Sequence, residues 1–402
     1  MCYLVGKALQ SALTRRNILA GGMALGSFMC TPVQAAADIQ REVEIAQATV
    51  PADQSRSWLL LLGTAGGPNW WPNSDRCSFS SAVIVGDATY LVDCGEGVGK
   101  RLQQSLGPAS SSAATLRTLR ALFVTHLHSD HTVDYPNILL YGLVSGLDRS
   151  SPPLKVFGPG RRGQMEPVFS LPGRTAVEPE IINPENPTPG ISDMTNYISQ
   201  AYATDLNDRM RDNGRRSLKM LVEAHDIAIP PVAGFKSPNE TPSPDMEPFK
   251  VFEDDRVRVS ATLVDHFPIW PAFAFRFDTD EGSVVFSGDT NPSKNLIKLA
   301  KGADVLVHEV IVIDWVNRLF PEPRSVALEG LRQHLLNAHT PVDQVGKVAE
   351  AAGVAKLVLS HIVPGNATND QLSAAKNGFS GELIIGQDLM TIPLTATSKR
   401  KG

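Results

Sequence analysis

Residues 121–131 read ALFVTHLHSDH, an apolar run from Ala121 to Val124 followed by Thr125, His126, Leu127, His128, Ser129, Asp130 and His131. The run predicts a strand that ends in a polar loop, so the side chains after it are delivered from the strand's end. His126 and His128 are two residues apart and project from one side. Asp130 and His131 follow as the chain turns into Thr132 to Tyr141. Neutral imidazoles and carboxylates suit zinc and related divalent ions. One such cluster fills only part of two coordination shells, so further ligands must come from other parts of the chain.

Four more apolar runs end in candidate groups. Asp93 follows Tyr90-Leu91-Val92, His266 follows Thr262-Leu263-Val264-Asp265, Asp289 follows Val285-Phe286-Ser287-Gly288, and His361 follows Val358-Leu359-Ser360. A polar residue at one strand end is unremarkable, and it is the joint order of the four that gives them weight. His225 and His334 have no such companions and read as structural or surface histidines.

The wider pattern is layered. Strands are predicted at Leu59 to Leu62, Ser81 to Val85, Tyr90 to Val92 and Ala121 to Val124, and again at Val257 to Val264, Ala272 to Phe277, Ser283 to Phe286, Val305 to Val307, Lys356 to Leu359 and Leu383 to Ile385. Helical patterns occupy Pro292 to Ala300, Ser325 to Leu336 and Val342 to Ala352, and Val98 to Leu106 and Ala114 to Leu119 have room for helix. Two β-rich halves with helices between strands argue for an α/β architecture in which helices cover sheets. Between them, at about residues 171–250, lies a proline-rich stretch that includes Pro184, Pro187, Pro189, Pro230, Pro231, Pro238, Pro242, Pro244 and Pro248, with a helical candidate at Asp193 to Asp212. It reads as an insertion in one domain, residues 38–402, rather than a domain of its own.

The combination of His126-x-His128-x-Asp130-His131 with Leu91-Val92-Asp93-Cys94-Gly95-Glu96-Gly97, Ser287-Gly288-Asp289-Thr290 and Leu359-Ser360-His361 resembles the metallo-β-lactamase superfamily of binuclear metal hydrolases. The resemblance runs from Leu62-Gly63-Thr64 through Ile385 and is weakest in the insertion. It implies a four-layer αββα sandwich with two divalent metal ions, zinc by preference, between the edges of two sheets. By that likeness His126, His128 and His266 hold one metal, Asp130, His131 and His361 hold the other, and Asp289 bridges them. Asp93 is cast as a residue that orients ligands through hydrogen bonds, with His308 in a similar supporting place.

His308-Glu309, after Asp304-Val305-Leu306-Val307, and Ala338-His339-Thr340 resemble the ribonuclease Z and arylsulfatase-like branch, where such a Glu and His form a proton-donating pair. Glu309 beside His339 would raise and orient the imidazole for delivery of a proton to a leaving alkoxide. Asp130 is expected to accept or orient the proton of the attacking water. The chain departs from the branch pattern at Val310-Ile311, where Ala-Thr is usual, and at Pro341. A second reading, in which Glu309 and His339 only buttress the metal loops, therefore stays open.

Composition bears on the substrate. With 402 residues, 42% hydrophobic and 20% charged, the chain can bury a substantial core, and its net charge of −5 gives no general field for a polyanion. Arg209, Arg211, Arg215, Arg216 and Lys219 form the one notable basic group and read as a solvated helix face. The expectation is a small-molecule sulfate or phosphate ester as substrate and no nucleic acid. The alternatives are a lactonase or β-lactamase type of carbonyl hydrolase, for which Glu309 and His339 would be unnecessary, and a metal-binding protein without catalysis. Trp70, Trp71, Phe267, Trp270 and Phe273 flank the site in sequence and read equally as substrate-packing or core residues.

Residues 1–37 have their own grammar. Thr14-Arg15-Arg16-Asn17-Ile18-Leu19 leads into an apolar run ending at Cys30, and Ala35-Ala36-Ala37 follows, in the order of a twin-arginine export signal. The run is too short for a stable membrane span, so a periplasmic or secreted protein is expected. Cys77 and Cys94 would then be the remaining cysteines, either bridged across a hairpin or left as buried thiols.

Overall fold

The computed structural model describes residues 56–107, 113–148, 152–169 and 177–396. Residues 1–37, read from sequence as an export signal, lie outside them. Among the described residues no helix is long and apolar enough to cross a membrane.

The run Leu59-Leu60-Leu61-Leu62 contains the logic of the architecture. All four side chains are buried, Leu60 and Leu62 in one apolar cluster and Leu59 and Leu61 in another. A strand that alternates faces every residue and is apolar on both must be covered on both sides. It is β1 (Ser57–Gly63), in a seven-stranded sheet of order β14-β1-β2-β3-β4-β5-β6. The partners are β2 (Ser80–Val85), β3 (Ala88–Val92), β4 (Leu119–Phe123), β5 (Leu154–Gly158), β6 (Val222–Asp226) and β14 (Thr391–Pro393).

The second sheet, of order β13-β12-β11-β10-β9-β8-β7, is built from β7 (Phe249–Glu253), β8 (Arg258–Leu263), β9 (Phe273–Asp278), β10 (Ser283–Phe286), β11 (Val305–Ile311), β12 (Lys356–Val363) and β13 (Glu382–Ile385). Tyr90, Phe123, Phe273, Phe275, Phe277 and Phe286 fill the space between the sheets. Helices Val98–Leu106 and Tyr135–Ser145 cover the outer face of the first sheet, and helices Lys294–Ala300 and Val342–Ala352 that of the second. The result is the expected αββα sandwich.

Local readings diverge where periodicity is a weak guide. Ala114 to Leu119 is a run of turns that ends as β4 begins, not a helix. Between residues 177 and 250 the helical candidate divides into Ile191–Ala201 and Ala203–Asp212, and β6 adds an edge strand parallel to β5. The proline-rich loop after β6 is pinned by buried Asn295, whose Nδ2 donates to Pro244 O at 2.8 Å and Leu263 O at 3.0 Å. Ile227 and Met246 of that loop are buried against the core between the sheets. Cys77 and Cys94 are free thiols.

Candidate metal centre

The strand ends converge. Asp93, after β3, accepts from Thr125 N and Thr125 Oγ1, each at 2.7 Å, and from His131 Nδ1 at 2.8 Å. It takes a left-handed backbone (φ 58°) to do so and is fully buried. Because a carboxylate only accepts, His131 Nδ1 carries the proton and Nε2 turns to the site. The short helix Ser129–Thr132 buries Asp130 and His131, and Asp130 Oδ2 accepts from Gly67 N at 2.8 Å. His266 Nδ1 donates to Ala338 O at 2.8 Å, which likewise leaves Nε2 facing inward.

His361 lies within β12 rather than beyond its end. His308 pairs with Leu359 and Val310 with Ile362, so Ser360 and His361 together oppose Glu309 in a bulge. His361 has φ 46° there. Bulges re-aim side chains next to active sites, and this one sets His361 and Glu309 on the same side.

Two groups of ligand atoms result, each within 4.8 Å: His126, His128, His266 and Asp289, and Asp130, His131, Asp289 and His361. Asp289 belongs to both. A third group joins Glu309, His339 and His361. Glu309 accepts from Thr290 N at 2.9 Å, Thr340 N at 3.2 Å and His339 Nδ1 at 3.2 Å. Val310 and Ile311, the departures from the branch pattern, continue β11 into the core. His308 sits in none of the three groups; its Nδ1 donates to Glu309 O at 2.7 Å and burial lowers its pKa to about 4.

The donor chemistry fits divalent cations. Nε2 of His126 and of His266 lie 3.0 and 3.1 Å from His128 Nδ1. Burial holds His126 and His266 well below the usual imidazole pKa, so their lone pairs are free to bind. In the other group burial opposes charge on His131, yet Asp289, Asp93 and Asp130 outweigh it and push its pKa well up. A cation among those oxygens would replace that proton. His131 Nε2 and Asp289 Oδ1 lie buried 3.3 Å apart, and His361 Nε2 is 3.2 Å from both Asp130 Oδ2 and Asp289 Oδ2, so the second group turns its donor atoms onto one point. Burial also opposes charge on Asp130, but the His131 and His361 rings hold it well below the usual carboxylate range.

Residues 75–139 match the family model of the metallo-β-lactamase superfamily, and residues 217–362 that of the β-lactamase superfamily domain. A ribonuclease Z of Mycobacterium avium (strain 104) is 30% identical over 343 residues, covering 85% of this chain and 99% of that protein. The chain belongs to the metallo-β-lactamase superfamily, in its ribonuclease Z branch. A ribonuclease Z of Mycobacterium bovis (BCG Pasteur) is 29% identical over 334 residues, 82% of this chain and 96% of that protein. Human tRNase Z, short form, shares the fold at a TM-score of 0.50 and 17% identity, over 84% of this chain and 99% of that one.

As a member of this superfamily the protein is a metal-dependent hydrolase. The branch overturns one expectation, that of a small-molecule ester substrate with no nucleic acid, because relatives matching nearly end to end are ribonucleases. A net charge of −5 averages the whole surface and says little about one cleft. The basic group was not informative either: Arg209 pairs with Asp205, and Arg215 and Arg216 pair with Asp148.

Two other readings are sharpened by placement. His334, taken from sequence as structural or surface, has its ring 6.3 Å from that of His128 and 6.1 Å from that of His266. Its spacing of five from His339 on the same segment was the available signal. Of the flanking aromatics, Phe273 is core, Trp70 is exposed, and Trp270 stacks on Phe235.

Proposed function

We propose that the protein is a binuclear, zinc-preferring phosphodiesterase that hydrolyses RNA. The observation that carries this reading is the Glu309–His339 pair set against His361 and the shared Asp289. Carbonyl hydrolysis has less use for such a pair, whereas expulsion of a ribose alkoxide needs a proton. The relatives' identity as ribonucleases supplies the substrate class.

Two divalent cations, when bound, supply a water-derived nucleophile at neutral pH and neutralise charge on the phosphate. His126, His128, His266, Asp130, His131, His361 and Asp289 would hold them. Asp93 fixes the His131 tautomer, and Asp130, ionised throughout, orients the attacking water by accepting its hydrogen bond. The new P–O bond forms as the bond to the leaving ribose oxygen breaks. His339 delivers its proton to that oxygen. Burial opposes charge on His339, but Glu309 and then Asp289 outweigh it and raise its pKa to about 9, so the acid is in its protonated form at neutral pH.

The test is hydrolysis of an oligoribonucleotide and of bis(4-nitrophenyl) phosphate by zinc-loaded protein. His339→Ala should slow RNA cleavage roughly 10²- to 10⁴-fold and spare the nitrophenyl ester, whose leaving group needs no proton. Equal losses on both would reduce His339 and Glu309 to supports of the metal loops.

A further inference from the structure

The imidazole of His334 is at the site yet outside every donor group. It projects from helix Val326–Ala338, which runs directly into His339. Its ring centre is 6.3, 6.1 and 6.4 Å from those of His128, His266 and His339. At that separation it does not share a cation with His128 and His266, and it is near enough to touch whatever is attached to a phosphate held there.

Exposure gives the direction. His126, His131, His266, His339 and His361 are buried, whereas His128 and His334 are half-buried. The site therefore opens to solvent on the side of those two rings, and a substrate entering it passes His334. Among the described residues no protein group hydrogen-bonds or ion-pairs with the His334 ring, so a role in holding the helix to its neighbours has no bond to rest on.

The chemistry of the ring narrows the ligand. The His334 ring, half-buried at the mouth, has two nitrogens, and an imidazole of this kind offers one N–H donor and one acceptor. A phosphate oxygen, which only accepts, uses half of that. A hydroxyl, which donates and accepts, uses all of it, and in RNA a hydroxyl stands one sugar from each phosphate.

We propose that His334 hydrogen-bonds the ribose 2′-hydroxyl of a nucleotide adjoining the scissile phosphate, and is thereby the residue with which the site distinguishes RNA from DNA. This rests on the RNA phosphodiesterase reading above and adds the residue that selects the sugar.

The experiment compares an oligoribonucleotide with copies carrying a single 2′-deoxy nucleotide on either side of the cleaved bond, using the zinc-loaded full chain. Wild type should lose roughly three- to tenfold in kcat/KM on one of the deoxy copies, the scale of one neutral hydrogen bond. His334→Ala should lose the same factor on the all-ribose substrate and be indifferent to the deoxy substitution. His334→Gln, whose amide also donates and accepts, should keep part of the discrimination. Zinc content should be unchanged in both variants. An alanine variant that is slower on every substrate by one factor, with sensitivity to the 2′-hydroxyl intact, overturns the proposal, as does a wild type that cleaves all copies equally. A wild type inert on RNA would instead show in the first measurement and remove the functional reading itself.

Discussion

His131 is held by its neighbours before any metal arrives. Asp93 fixes its tautomer with a 2.8 Å bond and is itself fixed by Thr125. Asp93→Ala should weaken zinc binding about 10- to 100-fold in a chelator competition while the circular dichroism spectrum stays native, since the groups that ligate remain and only their orientation is lost. The His339–Glu309 pair gives a pH signature. His339 has its pKa raised from 6.5 to about 9, so the stability owed to its charge is complete below about 6.5, and both that stability and the rate that needs its proton fade as pH rises through 9. Glu309→Gln removes the charge that raises it and should move the alkaline limb of the RNA pH–rate profile downward by at least one unit; an unmoved limb would assign that limb to another group.

Between elements, close approach does as much as side-chain chemistry. A Cβ on Gly66 would lie 2.4 Å from His361 Nδ1 and 2.7 Å from Val363 Cγ2. Gly66→Ala should therefore displace His361 and lower the zinc stoichiometry from two towards one per chain, with the fold retained. In the core, Phe123 touches Phe157, Phe252, Phe275 and Phe277 and is fully buried. Phe123→Ala should cost about 3–5 kcal/mol in denaturant unfolding, because it opens a cavity between two sheets whose strands cannot close in independently. Elements were legible where their pattern was strong. The helices Val98–Leu106 and Val342–Ala352 match their predicted spans, whereas β5 and β6 escaped notice. Val-Glu-Ala-His-Asp, the β6 sequence, is a mostly exposed edge strand, and an edge strand need not be apolar on both faces.

At the scale of the whole molecule, metal and fold are linked. Ligands that bind only the native state stabilise it, by about 4 kcal/mol at a thousandfold excess over Kd. A chelator should lower the melting temperature of the zinc-loaded protein, and zinc should restore it; insensitivity to both would remove the cations from the fold's stability. We propose that residues 1–37, with Arg15 and Arg16, are a leader that routes the chain out of the cytoplasm. Cell fractionation should find the wild type exported and an Arg15→Lys, Arg16→Lys double variant retained; equal distribution would end that proposal.

By itself the sequence determined a layered α/β class, since strands alternating with helical patterns need helices to cover the sheets, and its motif order, through the family resemblance, implied the four layers and named the residues that meet at the strand ends, because type and order survive in one dimension. It did not determine what the cleft takes. Net charge is a sum over the surface and carries no position, so it pointed away from nucleic acid. Only the tertiary structure decided that a bulge opposite Glu309 turns His361 inward, and that His334, unremarkable in the chain, stands at the mouth of the site. Both depend on register and helix placement between segments distant in sequence, which local residue patterns do not encode.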